Sequence, residues 1–149
     1  MYGSLLTYKY TGDESCLDTF KMAANYFLNH LPEDYVAYWD FTFGDGSGQP
    51  RDTSAAAIAV CALLECEKYL DESDPNLKVY RNAAHRIMNS LIDNYSTKDS
   101  PDANGQLLDG TANGNRTDGK GISEMTIFGD YFYTEALRRF LDPDMELYW

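Results

Sequence analysis

The residues of this chain that could do chemistry lie in three segments rich in glycine, aspartate and aromatics: 35–41, 49–57 and 107–121. In the first, Trp39 offers a flat apolar face that suits stacking on a sugar ring, and it suits equally a buried indole wedged under a loop. In the second, Arg51 has the planar fork that holds a carboxylate through two N–H groups, while its neighbour Asp52 could neutralise it in place. Asp52, Thr53 and Ser54 have the side chains that cap a helix start, and a carboxyl and two hydroxyls are also catalytic types. The third segment carries Asp109, Arg116, Asp118 and Lys120. It is too long and too glycine-rich to be a mere connection, which reads as a lid or binding loop.

Other chemistries have weaker support. The chain has no G-x-S-x-G, no Walker loop and no Cys/His nucleophile arrangement. Asp102-Ala103-Asn104-Gly105 lacks the register of a calcium loop. Asn94-Tyr95-Ser96 and Asn115-Arg116-Thr117 match glycosylation acceptors by composition alone. His30 and His85 have no partner at metal-ligand spacing. Cys16, Cys61 and Cys66 are an odd set that reads as free thiols. No metal and no cofactor is expected.

The elements that must position these segments are helices. An aromatic-rich helix is expected over 2–10, ending at Gly12. Asp13 caps the next, whose apolar residues Leu17, Phe20, Ala24, Phe27, Leu28 and Leu31 recur at steps of three and four until Pro32 ends it. A third begins near residues 52–54. Asp74-Pro75 opens a fourth, with Leu77, Tyr80, Ala84, Ile87, Leu91 and Tyr95 on its buried face. A last helix is expected from about Ser123 to Leu141. The segment 35–41 alternates like a short extended stretch.

An internal repeat joins these helices. Leu5-Leu6, Tyr10, Asp13-Glu14, Ala23-Ala24 and Asn29 recur as Leu63-Leu64, Tyr69, Asp71-Glu72, Ala83-Ala84 and Asn89. Each copy is an αα-hairpin. In the second copy the first helix is apolar almost all round and the second is striped, which predicts an inner buried layer and an outer solvated one. A ring of such hairpins closes with about six of them, roughly 360 residues, and this chain supplies about two and a half. The fold expected is therefore all-α, an incomplete arc of αα-hairpin repeats forming one domain over 1–149. Its bare flanks, expected on the helices at 2–10 and 52–70, would need a partner: a second copy or a missing part of the ring.

Composition narrows the partners. The 149 residues carry 24 acidic and 12 basic side chains, a formal net charge of −12, with 44% hydrophobic and 14% aromatic content. That is a globular chain with a core, not an acidic disordered tail. Nucleic acid is a poor partner for so acidic a protein. No apolar run approaches the roughly 20 residues of a membrane span, and no signal peptide is visible, so either a cytoplasmic or a periplasmic location is open. An anionic ligand would need local cations such as Arg51, Arg116 and Lys120.

Five stretches carry a family resemblance: 8–13 (YKYTGD), 31–34 (LPED), 38–41 (YWDF), 50–59 (PRDTSAAAIA) and 128–137 (FGDYFYTEAL). In this order they resemble the carboxy-terminal part of the unsaturated glucuronyl hydrolases, glycoside hydrolase family eighty-eight, and more distantly the unsaturated rhamnogalacturonyl hydrolases. The resemblance implies a six-hairpin (α/α)6 barrel. It also implies removal of a 4,5-unsaturated uronic acid from oligosaccharides by hydration of the C4=C5 vinyl ether, with an aspartate as general acid and then base. That aspartate and its partner belong to the family's amino-terminal half and match no position here, so no catalytic residue is assigned and the isolated chain is expected to be inactive. The implied substrate-binding lip comprises Trp39, Arg51, Asp52, Asp109, Arg116 and Lys120, although relatives often have histidine where this chain has Asp109. Two alternatives stand beside this reading: a non-catalytic helical module that binds acidic sugars or a partner chain, and a complete enzyme assembled from several short chains.

Overall fold

Short polar residues decide where the helices start. In the computed structural model, which describes residues 1–146, they are α1 (Tyr2–Thr11), α2 (Glu14–Asn29), α3 (Thr53–Glu65), α4 (Pro75–Ser90) and α5 (Ile127–Leu141). Asp13, Asp52 and Asp74 each accept a hydrogen bond from the backbone N–H two residues on, at 3.0, 3.1 and 2.9 Å. These bonds satisfy donors that the first helical turn leaves unpaired. Gly12 ends α1 in the left-handed conformation, φ 67°, and donates to Tyr8 O, a geometry that favours glycine. A 3-10 turn, Cys66–Lys68, follows α3, and a π-helical turn, Leu91–Tyr95, prolongs α4.

Two expectations at this level are corrected. The last helix begins at Ile127, not Ser123, because Ser123 has φ 50° and Glu124 is paired with Gly110 through two backbone bonds of 2.8 and 2.9 Å. Thr126 then caps α5, its Oγ1 accepting from Gly129 N at 3.1 Å. The segment 35–41 forms no strand. It makes a single antiparallel bridge, Tyr38 to Arg51, and Tyr35 turns the chain with φ 64°.

α3 lies at the centre because nearly every side of it is apolar and small. Ten of its thirteen residues are buried, and α1, α4 and α5 all pack on it. The alanines let those helices approach closely, and Val60 and Leu63 fill the space between them. α1, α3 and α5 form one layer. α2 and α4 form the second, joined by the edge-to-face pair Phe20–Tyr80, by Tyr80 OH donating to Asn25 Oδ1 at 3.0 Å, and by Lys21–Asp74 at 2.7 Å. The expected bare flank on the helix at 52–70 is therefore covered. The largest exposed apolar side chains of the inner layer are instead on α5, with Ile127 87% and Leu141 82% exposed, and at Tyr10 on α1.

The three inner helices are tied by one buried polar cluster. Arg139 donates from Nε to Glu135 Oε1 at 2.9 Å, from Nη2 to Tyr2 OH at 2.8 Å, and from Nη1 to Glu65 Oε2. Tyr2 OH donates to Glu135 Oε1 at 2.6 Å, and Tyr69 OH to Glu65 Oε1 at 2.9 Å. Burial alone would raise the Glu65 pKa. The Arg139 hydrogen bond and charge, with Tyr69 and Lys68, outweigh it and hold the carboxyl below its ordinary value. Burial, reinforced by Glu135, pushes the Tyr2 hydroxyl far up. Burial also raises the Cys66 thiol to about 12, which makes it inert as a nucleophile. No helix among the described residues is long and apolar enough to cross a membrane.

Candidate functional site

The amino-terminal ends of α3 and α5 lie side by side: a side-chain carbon added at Gly129 would stand 3.5 Å from Ser54 Cβ. The loops that lead into both helices meet there and form a lip. Asp52 is the stitch between them. Its Oδ1 accepts from Ser54 N, from Ser54 Oγ and, at 3.3 Å, from Thr111 N on the far loop. Thr53 adds two bonds, Oγ1 to Leu108 O at 2.6 Å and N to Asp109 O at 3.2 Å. Of the roles open for residues 52–54, the structure shows capping and loop anchoring. Replacing Asp52 by alanine is expected to cost about 1–2 kcal/mol and to speed exchange of the Thr111 amide at least about tenfold. Asp52→Asn should restore most of both, as read by urea unfolding and hydrogen exchange.

Arg51 is held by partners that its sequence neighbours do not suggest. It does not pair with Asp52. Nη1 donates to Val36 O at 2.8 Å, and Nη2 lies 3.3 Å from both Asp34 Oδ2 and Asp45 Oδ1. The guanidinium also sits 3.8 Å above the centre of the Tyr38 ring, an arrangement favourable to a planar cation. Tyr38 OH donates to Asp45 Oδ1 at 3.0 Å and Tyr95 OH to Asp34 Oδ2 at 2.7 Å. The Glu33 backbone N–H, then the Tyr38 hydroxyl and the Arg51 charge, hold the Asp45 carboxyl below the usual range. Burial and then Asp34 push the Tyr95 hydroxyl up. The Arg51 charge is thus spent inside the chain, bracing segment 34–45 against α3.

Trp39 is half-buried under a loop. Its Nε1 donates to Gln49 Oε1 at 3.1 Å, and Phe43 tilts against it with centroids 5.6 Å apart. Gly114 lies on the indole so closely that a side-chain carbon there would collide with Cε2 and Nε1. The wedged reading therefore describes the pyrrole edge of the indole, which Gly114 and Gln49 cover. Asp109 takes φ 59°, a left-handed conformation that aspartate tolerates better than most residues, and so presents its carbonyl to Thr53. Arg116 is neutralised by Asp118 through two bonds of 2.9 and 2.6 Å. Lys120 is exposed and makes no ion pair among the described residues. Of the three cations that could draw an anion to this lip, Lys120 alone is unspent.

Sequence reasoning missed Asp130. One of its oxygens accepts from Gln106 N at 2.8 Å and Leu107 N at 3.0 Å, which anchors the long loop to the first turn of α5. The cue was an acidic residue in the first turn of a helix beside a glycine. Among the described residues no group of three His, Cys, Asp or Glu is placed to hold a metal ion. This arrangement can stack on, orient and attract a ligand, and its carboxylates at 34, 45, 52 and 130 are committed to holding loops.

No family model matches the chain. Over its whole length it is 48% identical to the unsaturated chondroitin disaccharide hydrolase of Streptococcus pneumoniae and covers 37% of that protein. It is 39% identical, again over all 149 residues, to the unsaturated glucuronyl hydrolase of Bacillus sp. strain GL1, covering 39% of it. In structure it matches a crystal structure of a substituted unsaturated glucuronyl hydrolase from Streptococcus agalactiae complexed with dGlcA-GalNAc6S. The TM-score is 0.92 at 49% identity, over 99% of this chain and 38% of that one. The chain thus spans little more than a third of the relatives it matches. Those structures are (α/α)6 barrels, and the two helical layers described above are a segment of such a barrel.

Proposed function

We propose that this chain, whose sequence and fold are those of the unsaturated glucuronyl hydrolases over little more than a third of their length, forms the carboxy-terminal, sugar-facing lip of such a glycosidase. The whole enzyme would remove 4,5-unsaturated uronic acid from oligosaccharides by hydrating the C4=C5 vinyl ether. One observation supports this above the others: identity near 49% and a TM-score of 0.92 extend over 99% of the chain, against a structure that holds an unsaturated disaccharide. The alternative of a stand-alone sugar-binding module would leave that full-length match without a reason.

In this reading the general acid lies in barrel residues that the chain does not span. What the chain supplies is position. Trp39, which is half-buried, stacks on the sugar with the part of its indole that remains exposed. Lys120 meets the anionic group of the substrate, since Arg51 and Arg116 are already paired. Asp52, Thr53 and Asp130 keep the loop that carries Lys120 against the helix ends.

The test is a chimera in which these 149 residues replace the matching part of the S. agalactiae enzyme. Turnover of an unsaturated chondroitin disaccharide is followed by loss of the ultraviolet absorbance of the conjugated double bond. The chimera should turn over and the isolated chain should not. Turnover by the isolated chain, or a folded chimera without activity, would reject the reading. Within the active chimera, Lys120→Ala should raise KM about tenfold and leave kcat within about twofold, because a ground-state contact is lost. The difference should shrink as salt is raised.

A further inference from the structure

α4 ends in a geometry that helices adopt rarely, the π-helical turn Leu91–Tyr95. Single turns of this kind recur at functional sites. In an unbroken α-helix Tyr95 would follow Tyr80, Ala84, Ile87 and Leu91 down the buried face, as the sequence predicts. The π-turn holds one residue more and takes Tyr95 off that phase. Its hydroxyl donates to Asp34 Oδ2 at 2.7 Å, across 61 residues of chain.

Tyr95 touches both loops of the lip. Arg51 Nη2 lies 3.3 Å from the Asp34 oxygen that Tyr95 holds, and the other oxygen of Asp34 accepts from Val36 N at 3.2 Å. Val36 and Ala37 are buried, and Trp39 follows them, its N–H donating to Pro50 O at 3.2 Å. The Tyr95 carbonyl accepts from Leu108 N at 2.8 Å, while Leu108 O accepts from Thr53 Oγ1 at 2.6 Å. One residue thus holds segment 34–45 by its side chain and loop 107–121 by its backbone.

We propose that Tyr95, set by the π-turn, is a positioning residue of the lip, and that through Asp34 it fixes the segment that presents Trp39 to the sugar. It acts on the substrate only through that segment. This inference rests on the glycosidase reading above. A second tyrosine of α4 supplies the control. Tyr80 is fully buried, and its hydroxyl donates to Asn25 Oδ1 at 3.0 Å on α2, away from both loops.

Tyr95→Phe and Tyr80→Phe are compared in the same chimera. Each removes one hydrogen-bonded hydroxyl, so both should lower Tm by about 1–3 °C. Only Tyr95→Phe should raise KM, by about fivefold, with kcat within about twofold of the parent. When it is combined with Asp34→Asn, the two KM increases should give less than their product, because the hydroxyl acts through that carboxylate. Equal KM for the two tyrosine variants, or independent effects in the double variant, would overturn the proposal. A folded chimera without turnover would count against the glycosidase reading alone. Hydrogen exchange in the 149-residue chain then decides: the Val36 and Trp39 amides should exchange at least about fivefold faster in Tyr95→Phe than in Tyr80→Phe. Equal exchange would overturn the proposal.

Discussion

Replacing Arg139 by alanine lowers the stability of the chain by about 3–5 kcal/mol, the largest effect expected of a single substitution here. The side chain is 3% exposed and is the common donor to Glu65, Glu135 and Tyr2, so its loss strands two buried carboxylates. Glu135 Oε2 already lacks a hydrogen-bond partner among the described residues, so Glu135 is short of a donor before the arginine is removed. Urea unfolding at neutral pH measures the loss. Removing the charges together, with Arg139→Met, Glu65→Gln and Glu135→Gln, should recover most of it, since the penalty comes from unpaired charge and not from missing volume.

The same cluster fixes how stability responds to acid. The folded pKa of Glu65 lies below its ordinary value. Its contribution is therefore present above the unfolded carboxyl pKa, about 4.3, and is lost as pH falls through the lower folded value. In Arg139→Ala only Tyr69 and Lys68 are left to oppose burial, so the Glu65 pKa rises relative to the parent and its contribution to stability above the unfolded carboxyl pKa shrinks. Unfolding curves at neutral and mildly acidic pH should show a shallower loss of stability with acid for the variant than for the parent.

Gly114→Leu has the second large effect, and it falls on the lip. The new side chain cannot occupy the space held by the Trp39 indole, so either the loop lifts or the ring turns out. Overpacking of this kind costs about 1–3 kcal/mol. If the indole is the stacking platform, most of that cost appears as a fall in kcat/KM of about 10- to 100-fold in the chimera. Trp39 emission, read in a Trp149→Phe background, should shift to the red as the ring meets water. A Gly114→Leu variant with unchanged emission and unchanged kcat/KM would remove Trp39 and its loop from the substrate-binding surface.

The layer architecture was legible because its signals are local. An all-apolar, alanine-rich helix at 55–64 has nowhere to sit except the centre, and α3 sits there. Asp13, Asp52 and Asp74-Pro75 mark helix starts by chemistry that acts within two residues. The start of α5 was placed too early, at about Ser123, because a backbone pairing between Gly110 and Glu124, fourteen residues apart in the chain, holds that segment out of the helix. The expected bare flank on α3 failed for a related reason: α5 was not part of the detected repeat, yet it covers that flank.

At the lip, residue types were readable and partners were not. Arg51 stood next to Asp52 in sequence, but the helix start turns Asp52 toward Ser54 and Thr111, and Arg51 turns back to Asp34 and Asp45. Loop closure decides such pairs, and a single sequence carries no periodicity for it. Arg116 found its partner two residues away. Only Lys120 among the cations keeps the freedom that the charge argument asked of all three.

The most direct measurement is a crystal structure of the chimera soaked with an unsaturated chondroitin disaccharide. The sugar should lie against the exposed part of the Trp39 indole with its anionic group within hydrogen-bond reach of Lys120 Nζ. A disaccharide bound without touching any of these 149 residues, in an otherwise closed barrel, would contradict the account.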